Sequence, residues 1–599
     1  GNGGQNHSSL TWTNTAGNGV WSEEAVNWVD GGKDYAYTDG LPVYFGDEGV
    51  GTVTLVGTLA PGAVVVENSA GADYVFDGEG SMSGAMSLTK KGAGSLTLNA
   101  GNSYAGGTVV EGGSLVAGGA GSFGTGVITL KGGALDLDSK AIGNAVTATG
   151  GTLSGASAYT GALTVNGDVA MDGTAKAGSL TMAGGTLSGG TLADTTVLAQ
   201  GGAISSKLTG GGSVLANGTV TLSGDNDFTG SVIISSGKLT VGHANALGKG
   251  NVTLQGGTLD MGGLAVGTDV LAMGGTLSGA SKYAGNLTVM GDATLSGAAT
   301  ADSLMLTNGS LTGGSISAKN ITAIKGGIAS QVTGGTNLTV LGNVALTSAN
   351  DYTGTTAITG GTLTLGNDSA LGGSSVVLTA GTLNLGEKAA ANNILATGGT
   401  LSGASAYTGS LTVNGNVTLG GTTKAGSITL AAGSLTGGSI ADAAITANGG
   451  SISSVISGSS SMTSSGAVTI SGANTYTGGT TITGGTLTVG HASALGTGAV
   501  ALSGTLDLGG LAVGNTVNIG GGSLATIVNG SAFAGTVNLN GGTLTLADTL
   551  GGGLVLNGGV LDLSGMSSAS LGSVTTSALT QINVGDISGL TAGTHTLLS

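Results

Sequence analysis

The chain repeats itself at a spacing of 124 residues, and this period constrains its fold more than any other feature. The segment Gly150–Ser157, with the sequence GGTLSGAS, returns at Gly274–Ser281 and again at Gly398–Ser405. A fixed long period indicates stacked copies of one structural unit. It also provides a test for function. A residue with unique chemistry should interrupt the repeat, whereas a residue that recurs in register is more often part of the scaffold.

The glycine content shows that these units are not ordinary globular domains. Glycine makes up 126 of the 599 residues, and only 8% of residues are charged. So much glycine without a collagen triplet often indicates disorder. Here, however, Leu, Val and Ile recur every few residues and the mean hydropathy is positive. The chain therefore has apolar surface to bury, and we expect it to fold.

Charge and cysteine content exclude several classes of partner and site. The formal net charge is −17, and the chain contains no arginine. A basic surface for nucleic acid or anionic lipid is therefore not expected. No run of about 18 apolar residues occurs, which argues against insertion of this segment into a membrane as a helix. The absence of cysteine excludes disulfides, thiolate metal sites and cysteine nucleophiles.

Residues 1–80 differ in composition from the rest of the chain. They contain all three tryptophans and both prolines. An array of stacked units needs an atypical end unit, so we interpret this region as an N-terminal cap. The alternative is a separate binding domain in which exposed aromatic rings stack on sugars. The candidate ligand-stacking residues of this region are Trp12, Trp21, Trp28, Tyr35, Tyr37 and Tyr44.

From residue 81 to residue 599 the sequence consists of short strand-like segments between glycines. Segments such as Lys238–Val241 and Thr486–Val489 alternate apolar residues with Thr, which is the period of a β-strand. The Gly-Gly pairs between such segments predict turns, because glycine adopts positive φ without a Cβ clash. No helical stripe of useful length is present.

A finer period within each block predicts the coil length. Strands of the Gly-x-Leu type recur at about 17 residues or at twice that distance, so about seven steps fill one block. A step of this size suits one coil of a β-solenoid, with two or three short strands and tight turns. We therefore predict coils of about 17–20 residues in super-repeats that span approximately 98–221, 222–345, 346–469 and 470–599, the last of them partial.

Aromatic residues beyond the N-terminal region follow the same period. One set consists of Tyr104, Phe228, Tyr352 and Tyr476. A second set consists of Tyr159, Tyr283, Tyr407 and Phe533, with a small insertion before the last. We predict that these rings fill the wider corners of the solenoid. The alternative is a ladder of rings that stack on a ligand.

One segment resembles a known family of repeats. Ser471–Gly490, with the sequence SGANTYTGGTTITGGTLTVG, resembles the passenger-associated transport repeat, which is also called the autotransporter-associated β-strand repeat. His491–Val500 and Thr505–Leu508 continue the pattern. Degenerate copies begin near Leu98, Leu222 and Leu346. The opening of the chain, Leu10–Thr13 with Gly17–Trp21, also resembles the usual start of such passengers.

The resemblance implies a fold and a location. It implies a passenger of Gram-negative type V secretion, which is exported across the outer membrane and is secreted or displayed on the cell surface. The fold class that we predict is all-β, a right-handed parallel β-helix (β-solenoid) with an N-terminal capping region. In that family a C-terminal β-barrel anchors or exports the passenger, and we expect one in the full-length protein. The absence of cysteine fits this route, since disulfides could lock the chain before export.

The best local pair of carboxylates does not persist through the repeat. Asp225 and Asp227 lie close in sequence, and paired carboxylates can perform acid–base catalysis. Their equivalents in the other blocks are Gly101 and Ser103, Ala349 and Asp351, and Ala473 and Thr475. We interpret this as variation within a turn. A second column, which recurs between leucines and is predicted to face solvent, consists of Asp136, Asp260 and Asn384, with Asp507 one residue out of step.

The histidines do not indicate a catalytic base. His243 and His491 are two blocks apart, and the equivalent positions hold Asn367 and Gly119. A position that accepts these three residue types is predicted to be a turn. No Ser-His-Asp arrangement, phosphate-binding loop, calcium-binding repeat or metal-ligand spacing is recognisable. We therefore expect no enzymatic activity, no catalytic residue, no cofactor and no metal site.

Three functional hypotheses follow. The first is a non-enzymatic adhesin or structural rod that contacts a host glycan, mucin, a cell-surface receptor, a biofilm or other copies of itself. The alternative is a glycan-binding or polysaccharide-active β-helix protein with its recognition site in the N-terminal cap. The third is an ice-binding solenoid, which we disfavour because Thr mostly occurs singly between apolar residues.

Overall fold

The structure, a computed structural model, describes residues 7–155, 158–279, 282–566 and 570–585. Within these ranges the chain forms strands, turns and bends, and no helix is present. The prediction of an all-β fold is therefore confirmed. The chain divides into two compact units, residues 1–302 and residues 303–599. In each unit the strands of successive coils pair in parallel, which is the pairing of a β-solenoid.

The N-terminal region combines antiparallel and parallel pairing. Leu10–Trp12 pairs antiparallel with Val26–Asp30, which in turn forms a hairpin with Lys33–Ala36. Leu10–Trp12 also pairs in parallel with Pro42–Phe45, and parallel pairing continues from there into the following coils. The strands of residues 7–80 are Leu10–Trp12, Val20–Trp21, Val26–Asp30, Lys33–Ala36, Pro42–Phe45, Gly51–Leu55, Thr58–Leu59, Ala63–Glu67 and Tyr74–Asp77.

The remaining strands are short and recur in every coil. From residue 81 to the end of the first unit they are Ser81–Met82, Leu88–Lys91, Ser95–Leu98, Thr108–Val110, Ser114–Ala117, Ile128–Leu130, Ala134–Asp136, Ala141–Ile142, Val146–Ala148, Thr152–Ser154, Ala158–Asn166, Val169–Met171, Thr174–Gly184, Thr186–Ser188, Thr191–Ala193, Val197–Ile204, Lys207–Thr209, Val214–Leu222, Val232–Ile234, Lys238–Val241, Val252–Leu254, Thr258–Asp260, Ala265–Val266, Val270–Ala272, Thr276–Ser278, Lys282–Val289, Ala293–Ser296 and Ala298–Leu306. Those of the second unit are Ser310–Thr312, Ser315–Ile328, Gln331–Val332, Asn337–Leu346, Thr355–Ile358, Thr362–Leu365, Ser375–Leu378, Thr382–Asn384, Ile394–Ala396, Thr400–Ser402, Ser410–Thr423, Ser427–Ala441, Ala444–Ala447, Gly450–Ile452, Val455–Ser457, Ser461–Ser464, Ala467–Ile470, Thr480–Ile482, Thr486–Val489, Val500–Leu502, Thr505–Asp507, Thr516–Ile519, Leu524–Val528, Thr536–Leu539, Thr543–Leu546, Leu550–Leu556, Val560–Leu563, Leu571–Thr576 and Gln581–Val584.

Alternation of side chains explains why these sequences form strands around an apolar interior. In Thr486–Val489 the side chains of Leu487 and Val489 are buried and the two threonines face outward. Successive coils place leucine over leucine, so the interior consists of apolar columns. In the first unit one such column is Leu96, Leu115, Leu135 and Leu153. Burial of each leucine contributes about 1.5–3 kcal/mol.

The register gives the coil length directly. In the first unit, seven coils of 17 to 20 residues connect Thr108 with Val232 through Ile128, Val146, Leu163, Leu180, Val197 and Val214. In the second unit, seven coils of the same lengths connect Thr356 with Thr480 through Val376, Ile394, Leu411, Ile428, Ile445 and Met462. Each 124-residue block therefore contains seven coils.

Glycine is required where turns of neighbouring coils touch. Gly237 has a φ of +68°, and a Cβ atom there would lie 2.4 Å from the carbonyl oxygen of Gly218 in the preceding coil. Gly485 has a φ of +64° and the same relation to Gly466, at 2.3 Å. Both the backbone conformation and the lack of space exclude a side chain.

The right-handed winding and the capping role of residues 1–80 stay predictions.

Candidate functional site

The tryptophans of the N-terminal region form a buried aromatic cluster. Trp12, Trp21 and Trp28 are 0% exposed. The ring centroids of Trp12 and Trp28 lie 5.1 Å apart, and those of Trp21 and Trp28 lie 5.2 Å apart, both with edge-to-face geometry. Phe45 packs against all three indoles. These indoles have no exposed face, so they lack the surface that ligand stacking requires.

Tyr37 belongs to the same cluster, whereas two other candidate tyrosines lie nearer the surface. Tyr37 is 2% exposed, and its hydroxyl donates to Asp39 Oδ1 at 2.8 Å. Burial, together with the hydrogen bond to Asp39, raises the pKa of Tyr37. Tyr35 and Tyr44 are half-buried. The Tyr44 hydroxyl donates to Glu67 Oε2 at 3.4 Å, and burial followed by the Glu67 charge raises its pKa.

The recurring aromatic residues are buried, as expected for rings that fill corners. All eight members of the two sets are at most 2% exposed. In the first set the tyrosine hydroxyl lies beside a threonine four residues later. The oxygen–oxygen distance is 2.8 Å for Tyr104 and Thr108 and 2.7 Å for Tyr352 and Thr356. Because no ring is exposed at these positions, the rings offer no surface on which a ligand could stack.

A buried asparagine two residues before each ring of the first set links three coils. The Oδ1 atom of Asn226 accepts a hydrogen bond from the Leu208 amide of the preceding coil, and its Nδ2 atom donates to the Ala246 carbonyl of the following coil. Both distances are below 2.9 Å. The same pair of bonds is made by Asn102, Asn350 and Asn474. Burial of an amide group without hydrogen-bond partners would cost free energy. Because each of these asparagines is paired with both neighbouring coils, it stabilises the turn in which it lies.

A second asparagine satisfies the carbonyl groups of an adjacent turn. Asn392 Nδ2 lies within 3.5 Å of the carbonyl oxygens of Leu371, Gly372 and Ser374. Asn144 and Asn515 make the equivalent contacts in their own blocks. In the remaining block this register position is Thr268, whose buried Oγ1 atom has no hydrogen-bond partner among the described residues.

A polar cleft lies at this corner in three blocks. In the first unit it has a volume of 370 Å³ and includes Asn245, Lys249 and Asp269 in its wall. In the second unit the corresponding clefts contain Asn392 and Asn515, with volumes of 410 Å³ and 500 Å³. The clefts recur with the repeat while their charged residues do not. The clefts therefore result from the shape of the repeated turn, and they do not present the same reactive groups in each block.

The structure explains why His and Asn interchange at one turn. His243 Nδ1 accepts the backbone amide of Asn245 at 3.2 Å, and His491 Nδ1 accepts that of Ser493 at 3.1 Å. Asn367 Oδ1 accepts the amide two residues later in the same way, at 2.9 Å. The imidazole nitrogen thus replaces an amide oxygen as the acceptor that closes a turn. The prediction that this position is a turn is confirmed.

The carboxylate candidates are also engaged in local contacts. Asp225 Oδ1 accepts a hydrogen bond from Asn245 Nδ2 at 2.7 Å, and His243 Nδ1 is 3.8 Å away. The hydrogen bond from Asn245 is the main cause of the lowered pKa of Asp225. Asp227 forms an ion pair with Lys207 at 3.2 Å. The two carboxylates thus have separate partners, and this exposed arrangement has no feature of an acid–base pair.

The Asp136 column closes turns at the end of a strand. In each block the Oδ1 atom accepts the backbone amide two residues later at 2.9 or 3.0 Å, and the members are Asp136, Asp260, Asn384 and Asp507. All four side chains are half-buried at the outer surface, in line with the predicted solvated face. Asp260 also pairs with Lys238 at 2.5 Å, and the Lys238 hydrogen bond is the main cause of its lowered pKa.

Hydroxyl groups form long columns on the outer surface of the solenoid, a feature that was not predicted from the sequence. Two columns of five successive threonines lie in the second unit. The first consists of Thr412, Thr429, Thr446, Thr463 and Thr481. The second consists of Thr362, Thr382, Thr400, Thr418 and Thr436. Their members are about one coil apart in sequence, so only the register reveals that they are neighbours about 4.8 Å apart.

Lys90 is the one lysine among the described residues that is fully buried. It lies in register between Val66 and Val110 and is 0% exposed. Its Nζ atom donates to the carbonyl oxygens of Lys91, Gly92 and Gly112. Burial lowers the pKa of Lys90 to about 8, against a smaller raising effect of the Asp73 charge. Sequence alone gave no signal of this burial, because Lys90 and Lys91 form an ordinary-looking pair.

The described residues contain neither a metal-binding cluster nor a membrane-spanning helix. No cluster of three or more His, Asp or Glu side chains within 7–155, 158–279, 282–566 and 570–585 could hold a metal ion. In the same part of the chain there is no helix with the length and apolar character needed to cross a membrane.

Comparison with known proteins identifies the repeats. The sequence model of the passenger-associated-transport-repeat family matches residues 88–117, 217–241, 341–365, 400–415 and 462–489. The resemblance seen in Ser471–Gly490 is thereby confirmed. No curated protein and no solved structure gives a significant match to the chain. The repeats and the β-solenoid together are consistent with an autotransporter passenger.

Proposed function

We propose that this chain, which carries passenger-associated transport repeats, is exported as an autotransporter passenger and acts at the bacterial cell surface as a non-enzymatic adhesin or structural scaffold. Its partners would be host glycans, mucin, a cell-surface receptor or other copies of itself. The observation that carries the proposal is the alignment of outward hydroxyl groups into columns, such as Thr412 to Thr481. Repeated hydrogen-bonding groups favour many weak contacts over one tight site.

The roles of the reactive side chains support the non-enzymatic part of the proposal. His243 and His491 accept turn amides through Nδ1, and Asn367 does the same. Asp225 and Asp227 bind to different neighbours. A catalytic base must be able to reach a proton of the substrate. The two histidines instead hold turn amides, and the two aspartates are replaced by other residue types in other blocks.

Retention of the purified chain on mucin-coated surfaces and on host cells tests the proposal. We expect micromolar binding that weakens when residues 356–479 are deleted, because a shorter array presents fewer contacts. A matched variant of full length changes Thr412, Thr429, Thr446 and Thr463 to Ala. It removes hydroxyl groups without shortening the array, and its binding should also weaken. No retention at micromolar protein on any of these surfaces, and no self-association, would contradict the proposal.

The alternative of recognition in the N-terminal region depends on Tyr35 and Tyr44. These are the two candidate rings that are half-buried rather than fully buried. A Tyr35→Ala, Tyr44→Ala variant separates the alternatives. If it loses mucin binding while the deletion of residues 356–479 does not, recognition lies in the N-terminal region and not along the solenoid.

A further inference from the structure

A hollow of 630 Å³ opens on the outer surface of the second unit. Its volume lies within the range of about 300–1,000 Å³ that is usual for small-molecule sites. The hollow spans four coils, and its lining residues are Asn308, Gly309, Lys325, Gly326, Asn343, Val344, Ala345, Thr362 and Thr364. It is separate from the polar corner clefts described above, because none of its lining residues is shared with them.

Small residues in two successive coils create the hollow. Ala345 lines the hollow and faces outward between buried Val344 and Leu346. Its register partner Gly327 follows the lining residue Gly326 and is partly exposed. A Cβ atom at Gly327 would have no heavy atom nearer than 3.9 Å, so the space above it is open. The next coil then brings Thr364 alongside Ala345 as a wall.

The same register positions carry larger side chains in the other blocks. In the following block of the second unit the pair is Ser451 and Thr469. In the first unit the pair is Ala203 and Thr221. A threonine therefore occupies the Ala345 position in both comparisons. The hollow is an interruption of the repeat, which is where specific recognition is expected.

A cation stands at the edge of this hollow. Lys325 is exposed, and its register equivalents are Gly201 and Gly449. It forms none of the ion pairs found among the described residues, whereas lysines such as Lys207 and Lys424 are paired with aspartates. The lining contains no carboxylate, so the exposed Lys325 can attract an anionic group locally although the formal net charge of the chain is −17.

The remaining lining supplies neutral polar groups, and two exposed apolar residues lie beside it without being part of it. Asn308 and Asn343 contribute amides, and Thr362 and Thr364 contribute hydroxyls. Ile324 and Leu341 are 40% and 47% exposed and directly precede this part of their strands. The equivalents of these two apolar residues are polar in the other blocks, namely Gln200, Asn217, Asn448 and Ser465.

We propose that this hollow binds a sugar residue that carries a carboxylate. Lys325 would pair with the carboxylate, the amides and threonine hydroxyls would bind the sugar hydroxyls, and the methyl group of Ala345 would lie against the apolar face of the ring. The proposal rests on the proposed surface-contact function and adds a ligand class to it. A hexuronic acid and a sialic acid share the required chemistry.

Binding of defined oligosaccharides to the full chain tests the proposal by calorimetry or ligand-observed NMR. The acidic probes are tetragalacturonate and sialyllactose, and the neutral counterparts are the methyl ester of tetragalacturonate and lactose. We expect at least one acidic probe to bind and its neutral counterpart to bind at least tenfold more weakly. The two acidic probes distinguish hexuronic from sialic acid.

Three variants locate the binding. Ala345→Thr introduces the side chain found at Thr221 and Thr469 in the other blocks, so it narrows the hollow at its wall with a residue that the fold accepts. Lys325→Gln removes the charge. Each should weaken binding at least tenfold, whereas Lys319→Gln, an exposed lysine on the same strand and outside the hollow, should leave it unchanged. Circular dichroism confirms that each variant is folded.

The outcomes separate this proposal from the proposed function. Absence of acidic-sugar binding, or binding that survives both Ala345→Thr and Lys325→Gln, overturns the hollow as a site even if mucin retention is intact. Loss of tetragalacturonate or sialyllactose binding in both variants supports it. Oligosaccharide binding by a chain that is not retained on mucin or cells supports the site and overturns only the surface-contact function.

Discussion

The hydroxyl groups of Tyr104 and Thr108 lie 2.8 Å apart inside the solenoid, and both groups are absent from the next block, where the equivalent residues are Phe228 and Val232. Thr108 is 1% exposed and Tyr104 is 0% exposed, so neither hydroxyl has access to water. Burial raises the pKa of Tyr104, with a smaller opposing effect of the Thr108 hydrogen bond. In these two blocks the tyrosine and threonine hydroxyls are thus either both present or both absent.

A double-mutant cycle at this pair is expected to show strong coupling. Tyr104→Phe or Thr108→Val alone leaves one buried hydroxyl without its partner and should destabilise the chain by about 1–3 kcal/mol. The double variant reproduces the Phe228 and Val232 pair and should cost less than either single change. Chemical denaturation measures the free energies of unfolding, and additive effects of the two changes would contradict the expectation.

The sequence was sufficient for the parts of the fold that repeat. The apolar–Thr–apolar segments and Gly-Gly pairs predicted strands and turns, and the register gives seven coils per block. The burial of Tyr104 and its equivalents followed from the period. These features are determined by short-range alternation and by a fixed step along the chain, both of which are visible in a linear sequence.

Features that depend on contacts between coils could not be predicted in this way. Trp12, Trp21 and Trp28 were candidates for stacking on a ligand, but they pack on one another. An antiparallel pair of strands brings Trp12 opposite Trp28, whereas the strand of Trp21 pairs in parallel with Gly51–Leu55. Lys90 is fully buried although its neighbour Lys91 is only half-buried. The hollow over Gly327 and Ala345 depends on two small residues that meet only when coils stack.

Thr268→Asn is expected to stabilise the chain. Asn144 and Asn392 each donate to three turn carbonyls at the equivalent corner, whereas Thr268 Oγ1 is buried without a hydrogen-bond partner among the described residues. The longer amide would reach these acceptors, and we expect a gain of about 1–2 kcal/mol in the free energy of unfolding. Asn392→Thr is the reverse control and should cost a similar amount. A destabilising Thr268→Asn change would contradict this account of the corner.

Lys90 is expected to make stability rise with pH in the mildly alkaline range. Burial lowers its pKa in the folded chain to about 8, from an ordinary value of 10.5. Below about pH 8 Lys90 is protonated in both the folded and the unfolded chain, and burial of the cation lowers the stability of the folded chain. Between that pH and about 10.5 the unfolded chain binds more protons, so stability increases, by about 3 kcal/mol at most.

The Lys90→Met variant is the control for this pH dependence. The substitution keeps an unbranched side chain in the interior but removes the titrating amine. Thermal or denaturant unfolding between pH 7 and 9.5 should show a positive slope for the parent chain and a smaller slope for the variant. Equal slopes would show that Lys90 does not titrate in this range.

Replacement of the turn histidines by asparagine is expected to have little effect. His243 and His491 contribute an acceptor at Nδ1, and Asn367 contributes one at Oδ1 to the same turn amide. The double variant His243→Asn, His491→Asn should therefore unfold within about 0.5 kcal/mol of the parent chain. It should also retain binding to mucin or cells. A large loss of binding without a loss of stability would assign the imidazoles a role that an acceptor alone does not provide.

Deletion of residues 356–479 is expected to leave a shorter folded chain. The deletion joins Thr355 to Thr480, which is the register equivalent of Thr356, so seven whole coils are removed and Leu338 gains Thr480 as its partner in the next coil. Stability of a stacked array is approximately a sum of terms between neighbouring coils, and no such term is broken by this deletion. A deletion of 356–470 removes a non-integral number of coils and places outward residues over inward columns, so it should unfold that region. Circular dichroism and limited proteolysis distinguish the two chains, and unfolding of the register-preserving deletion would contradict the nearest-neighbour description of this solenoid.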